Sequence, residues 1–384
     1  PEKPWPGLEN LARLTAGSNK LLVERLPVYP RFAHDSQRWQ MPVMATELLK
    51  RMDSDGYARR ERWTPGSALM PPTHVEQEGW SFAPPTITSS STATQAIIAQ
   101  AVRGERLDEK AIVQLFQARG SDYQAICEAA DSLRREVVGD TVTYAINRNI
   151  NYTNVCYLSC KFCAFSKGKT TEALRGKAYV LDSAEVTQRA VEAWQKGATE
   201  VCLQGGIHPS YTGDTYLEIC GDIRKSLPNM HIHAFSPLEV SQGAETLGLN
   251  VEDFLYRLKA AGLNSLPGTA AEILDDEVRA IICPDKINTQ QWLNVIETAH
   301  KVGIKTTSTI MFGHVDRPVH WARHLLHLRD LQQRTGGITE FVPLPFVPME
   351  APMYRRGLSR QGPTMRESVL MHAVSRLVLH TLID

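Results

Sequence analysis

The sequence carries no excess of charge of either sign: Lys and Arg together number 42, as do Asp and Glu, over 384 residues. A protein that grips a nucleic-acid polyanion or an anionic membrane by its overall field is therefore not expected. No stretch approaches the roughly 20 apolar residues that span a bilayer, and Pro1 to Leu14 lacks the charged-then-apolar order of a secretory signal. A reducing, cytoplasmic setting is expected. Cysteine is sparse and odd in number, seven in all, and three of them crowd between 156 and 163, which does not suit a disulfide framework. What remains is ordinary for a globular chain, 42% hydrophobic and 22% charged, so a sizeable core can be buried. The first residue is Pro rather than Met, and the sequence reads as a piece of a longer chain.

Residues 1–66 read as a helix (Leu8 to Leu22), an extended segment (Leu26 to Phe32) and a second helix around Val43 to Met52, too little for a core of their own. Residues 67–95 fill with Pro, Ser and Thr and read as a linker. Over 96–140, apolar positions at helical spacing, broken at Gly104 and Gly120, predict a helical extension of two or three helices. From 141 to 384, short apolar runs alternate with longer amphipathic stretches. Strands are expected at Val142 to Ile146, Glu200 to Leu203, His231 to Phe235, Gly262 to Leu266, Lys305 to Met311 and Glu340 to Leu344. Between them, helices are expected near Ala184 to Lys196, Tyr216 to Lys225, Val251 to Ala261, Thr289 to Val302 and Val319 to Thr335, with a last one from Met365 to Ile383. This alternation predicts an α/β fold, a TIM-type (β/α) barrel whose site lies at the C-terminal ends of its strands. About six strands are present, so the barrel is expected to be incomplete towards the C-terminus.

The chemistry concentrates after the first strand, in Cys156-Tyr157-Leu158-Ser159-Cys160-Lys161-Phe162-Cys163, a C-x3-C-x2-C spacing. Three thiolates on one tight loop can each take one iron of a [4Fe-4S] cube and leave the fourth iron open. That open iron could chelate the amino and carboxylate groups of S-adenosyl-L-methionine. A zinc-structured, non-catalytic barrel is the alternative, but no second Cys pair follows and a distant His would have to complete the site. Gln204-Gly205-Gly206 follows the second strand, and its glycines are expected to let a ligand approach and to leave amides free for it. His231 and His233 share a strand face, as a metal pair or, more simply, as interior polar contacts. Ser236 and Glu239 stand beyond that strand, and Asn264, Glu272 and His314 are further candidates for polar contacts around the site. His320, His324 and His327 recur at helical spacing and are expected on one solvent-facing side. Cys127, Cys202, Cys220 and Cys283 are expected to be inert.

The three-Cys spacing with Phe162 before the last Cys resembles the signature of the radical S-adenosylmethionine superfamily. Arg148 to Cys156, Leu203 to Gly206, His233 to Ser236, Pro267 to Leu274 and Phe341 to Leu344 are similar to the subgroup of FO synthase and the menaquinone-pathway radical enzymes. Leu8 to Pro30, with Leu22-Val23-Glu24-Arg25-Leu26-Pro27-Val28-Tyr29-Pro30, resembles the C-terminal tail of a CofG-like domain, as in fused two-domain enzymes, which favours the tyrosine-using, CofH-like half. The resemblance implies a radical SAM barrel with a [4Fe-4S] cluster on Cys156, Cys160 and Cys163, and S-adenosyl-L-methionine contacts from Gln204, Gly205, Gly206, Ser236, Asn264 and Glu272. It implies catalytic roles for Glu239 and His314. The implied reaction joins the 4-hydroxybenzyl group of L-tyrosine to 5-amino-6-(D-ribitylamino)uracil for coenzyme F(420), with an external electron donor and a CofG-like partner domain. A dehypoxanthine futalosine cyclase or aminofutalosine synthase is the alternative within the same chemistry.

Overall fold

The computed structural model describes residues 7–73, 89–166 and 177–383; most of the expected linker, 74–88, lies outside the described residues. The chain forms two compact units, one of residues 1–139, 311–326 and 343–381, the other of 140–310, 327–342 and 382–384.

The sheet has its strands in consecutive order β1 (Asn147–Asn151), β2 (Glu200–Gln204), β3 (His231–Ala234), β4 (Ser265–Leu266), β5 (Lys305–Phe312) and β6 (Ile338–Pro345), and β1 to β4 lie wholly in the second unit. The pairs from β1 through β5 are parallel. A parallel neighbour requires a crossover, and helices supply it at Ser183–Gln195, Gly213–Ser226, Val251–Ala261 and Thr289–Lys301. These four fall close to the expected spans because their apolar stripes follow the 3.6-residue period. Two further helices, Pro237–Thr246 and Asp276–Ile282, were not expected.

Burial alternates along the strands. Ile150, Val201, Leu203, Ile232 and Ala234 are buried in the core with Tyr216, Ile219, Ile223, Leu255 and Leu258 from the helices. The opposite face is polar: Asn149, Cys202, His233 and Ser265 are successive register partners across β1 to β4. Side chains at register partners share a face, so these four make one row. The first strand was misplaced in the sequence. Val142 and Tyr144 are 86% and 85% exposed, whereas Asn147–Asn151 forms the strand with Ile150 as its one buried residue. An edge strand needs little apolar surface, and the apolar run before it proved misleading.

The first unit contains the helices Thr92–Val102, Glu109–Phe116 and Ser121–Val138, in agreement with the break points at Gly104 and Gly120, and the C-terminal helix Met365–Leu379. Leu26, Ala33, Leu48 and Met52 form a small core within residues 1–66. That segment is also joined to the rest of its unit by buried ion pairs: Arg366 reaches Asp53 and Asp55 at 3.4 and 3.2 Å, and Arg119 reaches Asp55 at 3.1 Å. His320 and His324 are buried, 5% and 0% exposed, against expectation. Their helix, Pro318–Thr335, also buries Trp321, Ala322, Leu325 and Leu328, so its polar spacing does not mark a solvent face. Among the described residues no helix is long and apolar enough to cross a membrane.

Candidate active site

The loop Cys156–Cys163 leaves the C-terminal end of β1 and is anchored on both sides. Ahead of it, Leu181 N–H donates to the Tyr152 carbonyl (2.8 Å), the Thr153 hydroxyl to the Tyr179 carbonyl (2.9 Å), and Tyr179 N–H to Asn154 Oδ1 (2.8 Å). Within it, Tyr157 N–H donates to the Ile207 carbonyl (3.1 Å) and Lys161 N–H to the Ile282 carbonyl (2.8 Å). The second bond uses the carbonyl end of the helix Asp276–Ile282, which otherwise lacks intrahelical partners.

All three thiols are free and partly exposed. Cys163 Sγ accepts Ser166 N–H at 3.4 Å, and burial pushes the Cys160 thiol up to about 12 against the lowering pull of Lys286. An all-sulfur set of three, held by backbone bonds rather than by a fourth ligand, fits an iron–sulfur cube with one open iron better than tetrahedral zinc.

Gly205 and Gly206 are glycines because of what lies against them. A Cβ on Gly206 would stand 2.9 Å from Cys156 Cβ and closer still to the Val155 carbonyl, and one on Gly205 would enter the Tyr152 ring. Their amides are not free, contrary to expectation: Gly205 N–H donates to Glu239 Oε1 (3.2 Å) and Gly206 N–H to the Thr153 carbonyl (2.9 Å). The pair therefore seats the cysteine loop on the end of β2. Gln204 ends that strand, its amide 3.7 Å from Cys202 Sγ.

Glu239 is the hub of this packing. Ser236 caps the helix Pro237–Thr246, with Glu239 at the third helical position in a capping box. Glu239 Oε2 accepts Ser236 N–H (2.7 Å) and its hydroxyl (2.6 Å), while Oε1 accepts Gly205 N–H and the Tyr152 hydroxyl. Burial raises the Glu239 carboxyl above its usual range, though all four donors work to lower it. Tyr152, completely buried among Tyr211, Tyr216 and Phe235, is a site residue that sequence reasoning missed. Its partner is 87 positions away, so only its place four residues before Cys156 could have signalled it.

His231 and His233 do share a face: both rings meet the Ser265 hydroxyl, at 2.8 and 2.7 Å. Burial pulls His233 down to about 4, so it is neutral at physiological pH. Asn264 is placed away from this end. It precedes β4, and its Oδ1 accepts Ile232 N–H (2.8 Å) and Arg224 (2.7 Å), because the strand begins at Ser265 rather than at Gly262. Glu272 lies beyond β4 and pairs with Lys286 at 2.6 Å. His314 belongs to the first unit, where its Nε2 meets the Met311 carbonyl (3.0 Å), its Nδ1 accepts Val315 N–H (2.8 Å), and Asp316 stands 3.1 Å away. Its ring is thus committed to its own loop. Cys283 is buried, and desolvation raises its thiol to about 11, as suits an inert cysteine.

A sheet of consecutive parallel strands with three free thiols seated on a Gly-Gly turn defines an α/β scaffold built to hold an iron–sulfur cluster at its strand ends. The Radical SAM superfamily profile matches residues 150–327. The chain is 41% identical to the FO synthase of Streptomyces coelicolor over 99% of its own length and 48% of that protein's. It is 46% identical to the 5-amino-6-(D-ribitylamino)uracil--L-tyrosine 4-hydroxyphenyl transferase of Methanothermobacter thermautotrophicus, covering 76% of this chain and 78% of that one. Among solved structures, HydG, a maturase of the [FeFe]-hydrogenase, superposes with a TM-score of 0.56 at 15% identity, over 77% of this chain and 63% of that one. The chain belongs to the radical SAM superfamily, in the family of FO synthase and the ribitylaminouracil–tyrosine hydroxyphenyl transferases. It spans about half the length of the FO synthases it matches.

Proposed function

We propose that this chain cleaves the side chain of L-tyrosine and joins its 4-hydroxybenzyl group to 5-amino-6-(D-ribitylamino)uracil, the step towards 7,8-didemethyl-8-hydroxy-5-deazariboflavin and coenzyme F(420). The observation that carries this reading is the three-thiol loop seated on Gly205 and Gly206, in a chain 46% identical to a transferase named for these two substrates. Cys156, Cys160 and Cys163 would hold the [4Fe-4S] cluster. With S-adenosyl-L-methionine bound there, reductive cleavage supplies a carbon-centred radical able to take a hydrogen from tyrosine.

The chain's own residues then bind and orient. Asn149, Cys202, His233 and Ser265 offer a row of polar groups on one sheet face, suited to a uracil edge and ribityl hydroxyls. Neutral His233 would bond such a ligand without adding charge. The Glu239 network holds the Gly205 backbone rigid beside the cluster loop, so that Gln204 at the end of β2 can address S-adenosyl-L-methionine. Glu239 acts here as a positioning group, its four acceptor bonds leaving it little part in proton transfer. An external electron donor and a CofG-like domain for ring closure complete the scheme.

An anaerobic assay offering tyrosine with the ribityl-diaminouracil, or a futalosine, tests the reading by mass spectrometry. A hydroxybenzyl adduct of the uracil supports it; turnover of the futalosine without that adduct refutes it.

A further inference from the structure

Lys286 lies outside every regular element, yet the fold spends strain to place its partner. The loop after β4 carries two non-glycine residues in the left-handed region, Ala270 (φ 60°) and Glu272 (φ 48°), each a costly conformation for a side chain with a Cβ. Arg279 keeps them there. It is 3% exposed, and its guanidinium donates to the carbonyls of Ala270 (3.3 Å), Ala271, Ile273 (3.4 Å) and Ile287. One buried side chain thus ties the strained loop to the residue next to Lys286.

The result is a short, shielded ion pair, Glu272 Oε1 to Lys286 Nζ at 2.6 Å, both side chains about nine-tenths buried at 13% and 12% exposure. The ammonium lies 5.3 Å from the centroid of Phe162, the residue immediately before Cys163. Lys286 N–H donates to the Cys283 carbonyl (3.1 Å), and Ile282 one residue earlier accepts from Lys161 of the cysteine loop (2.8 Å). The cation is therefore carried by the same backbone segment that holds the loop.

We propose that Lys286, oriented by Glu272, is a positioning residue that fixes a positive charge beside the Cys160–Cys163 side of the cluster and raises its reduction potential. Adding an electron increases the negative charge of a thiolate-bound cube, and a fixed cation nearby favours the reduced form; Glu272, of opposite charge, moderates the effect. This rests on the cluster assigned above.

The test uses the full chain, reconstituted anaerobically, with iron per chain and the cluster midpoint potential measured separately. Lys286→Met should keep its iron and shift the reduced-to-oxidised ratio at a fixed potential roughly tenfold towards oxidised, about 59 mV for one electron. Glu272→Gln should shift it the other way, the double variant should return towards the parent value, and Lys286→Arg should retain it. Equal signs for the two single variants, or unchanged potentials, overturn the proposal. Loss of iron in Lys286→Met, Lys286→Arg and Glu272→Gln alike also overturns it, since that marks a purely structural brace. Absence of iron from the parent protein shows up before any potential is read and refutes the cluster assignment itself.

Discussion

Gly206 and Cys156 pack so closely that a Cβ on the glycine would stand 2.9 Å from that of the cysteine. The first thiol of the cysteine loop is therefore positioned by a glycine fifty residues away in sequence, at the end of the neighbouring strand.

It follows that Gly206→Ala should unseat the loop. Real Cβ atoms do not approach this closely, and the Val155 carbonyl leaves no flexible side chain to give way. Relief of such overpacking costs about 1–3 kcal/mol. Iron bound after reconstitution should fall by more than half, whereas Gly221→Ala, which meets nothing within 4 Å on the helix Gly213–Ser226, should retain it.

Tyr152→Phe removes one of the four donors to a buried carboxylate and nothing else of comparable size. Leaving a buried acceptor short of a partner costs about 1–3 kcal/mol. The urea midpoint should drop accordingly, and the lost bond should raise the Glu239 carboxyl further, because the Tyr152 hydroxyl favours its charged form. An unchanged midpoint would separate Tyr152 from the Glu239 network.

These two residues also mark what the sequence reveals. Three thiols within eight positions make a local pattern, so the loop Cys156–Cys163 was legible as a candidate site, as was the Gly-Gly turn after β2. The task of that turn was not, because its amides are taken by Glu239 and Thr153, which come from other parts of the chain. Asn264 was misassigned through a strand start three residues early, and Lys286 was missed because an ion pair across a loop and a helix has no period. The capping box Ser236-Pro237-Leu238-Glu239 marks the start of a helix that was not expected, and it explains why both residues point inwards.

His233 supplies a pH signature. Its folded pKa of about 4 lies below the ordinary 6.5, since burial disfavours the cation. Between those values the unfolded chain binds the extra proton, so stability is fully present above about 6.5 and is lost as pH falls towards 4. His233→Asn should flatten that part of the pH profile of urea unfolding; an identical slope in both proteins would place the dependence elsewhere.

Glu367 gives a second case, of the same sign but at lower pH, in the first unit. Burial works to raise its carboxyl, but Arg360 and Arg366, with the Ser54 and Thr364 amides, outweigh it and hold the group at about 2. Its contribution is present above the ordinary carboxylate value near 4.5 and disappears as pH falls towards 2. Glu367→Gln deprives the buried Arg360 guanidinium of the carboxylate it meets at 3.2 Å, which costs roughly 3–5 kcal/mol. Thermal unfolding at pH 7 should show that loss, with little difference remaining between variant and parent at pH 2.5.

The most direct measurement of the central claim is the product formed from tyrosine and the ribityl-diaminouracil by anaerobically reconstituted protein, compared with Cys156→Ala. The account predicts a hydroxybenzyl–uracil adduct and close to four irons per chain in the parent, as this cluster type requires, and neither adduct nor cluster absorption in the variant. A variant that still forms the adduct, or a parent that binds zinc in place of iron, would contradict it.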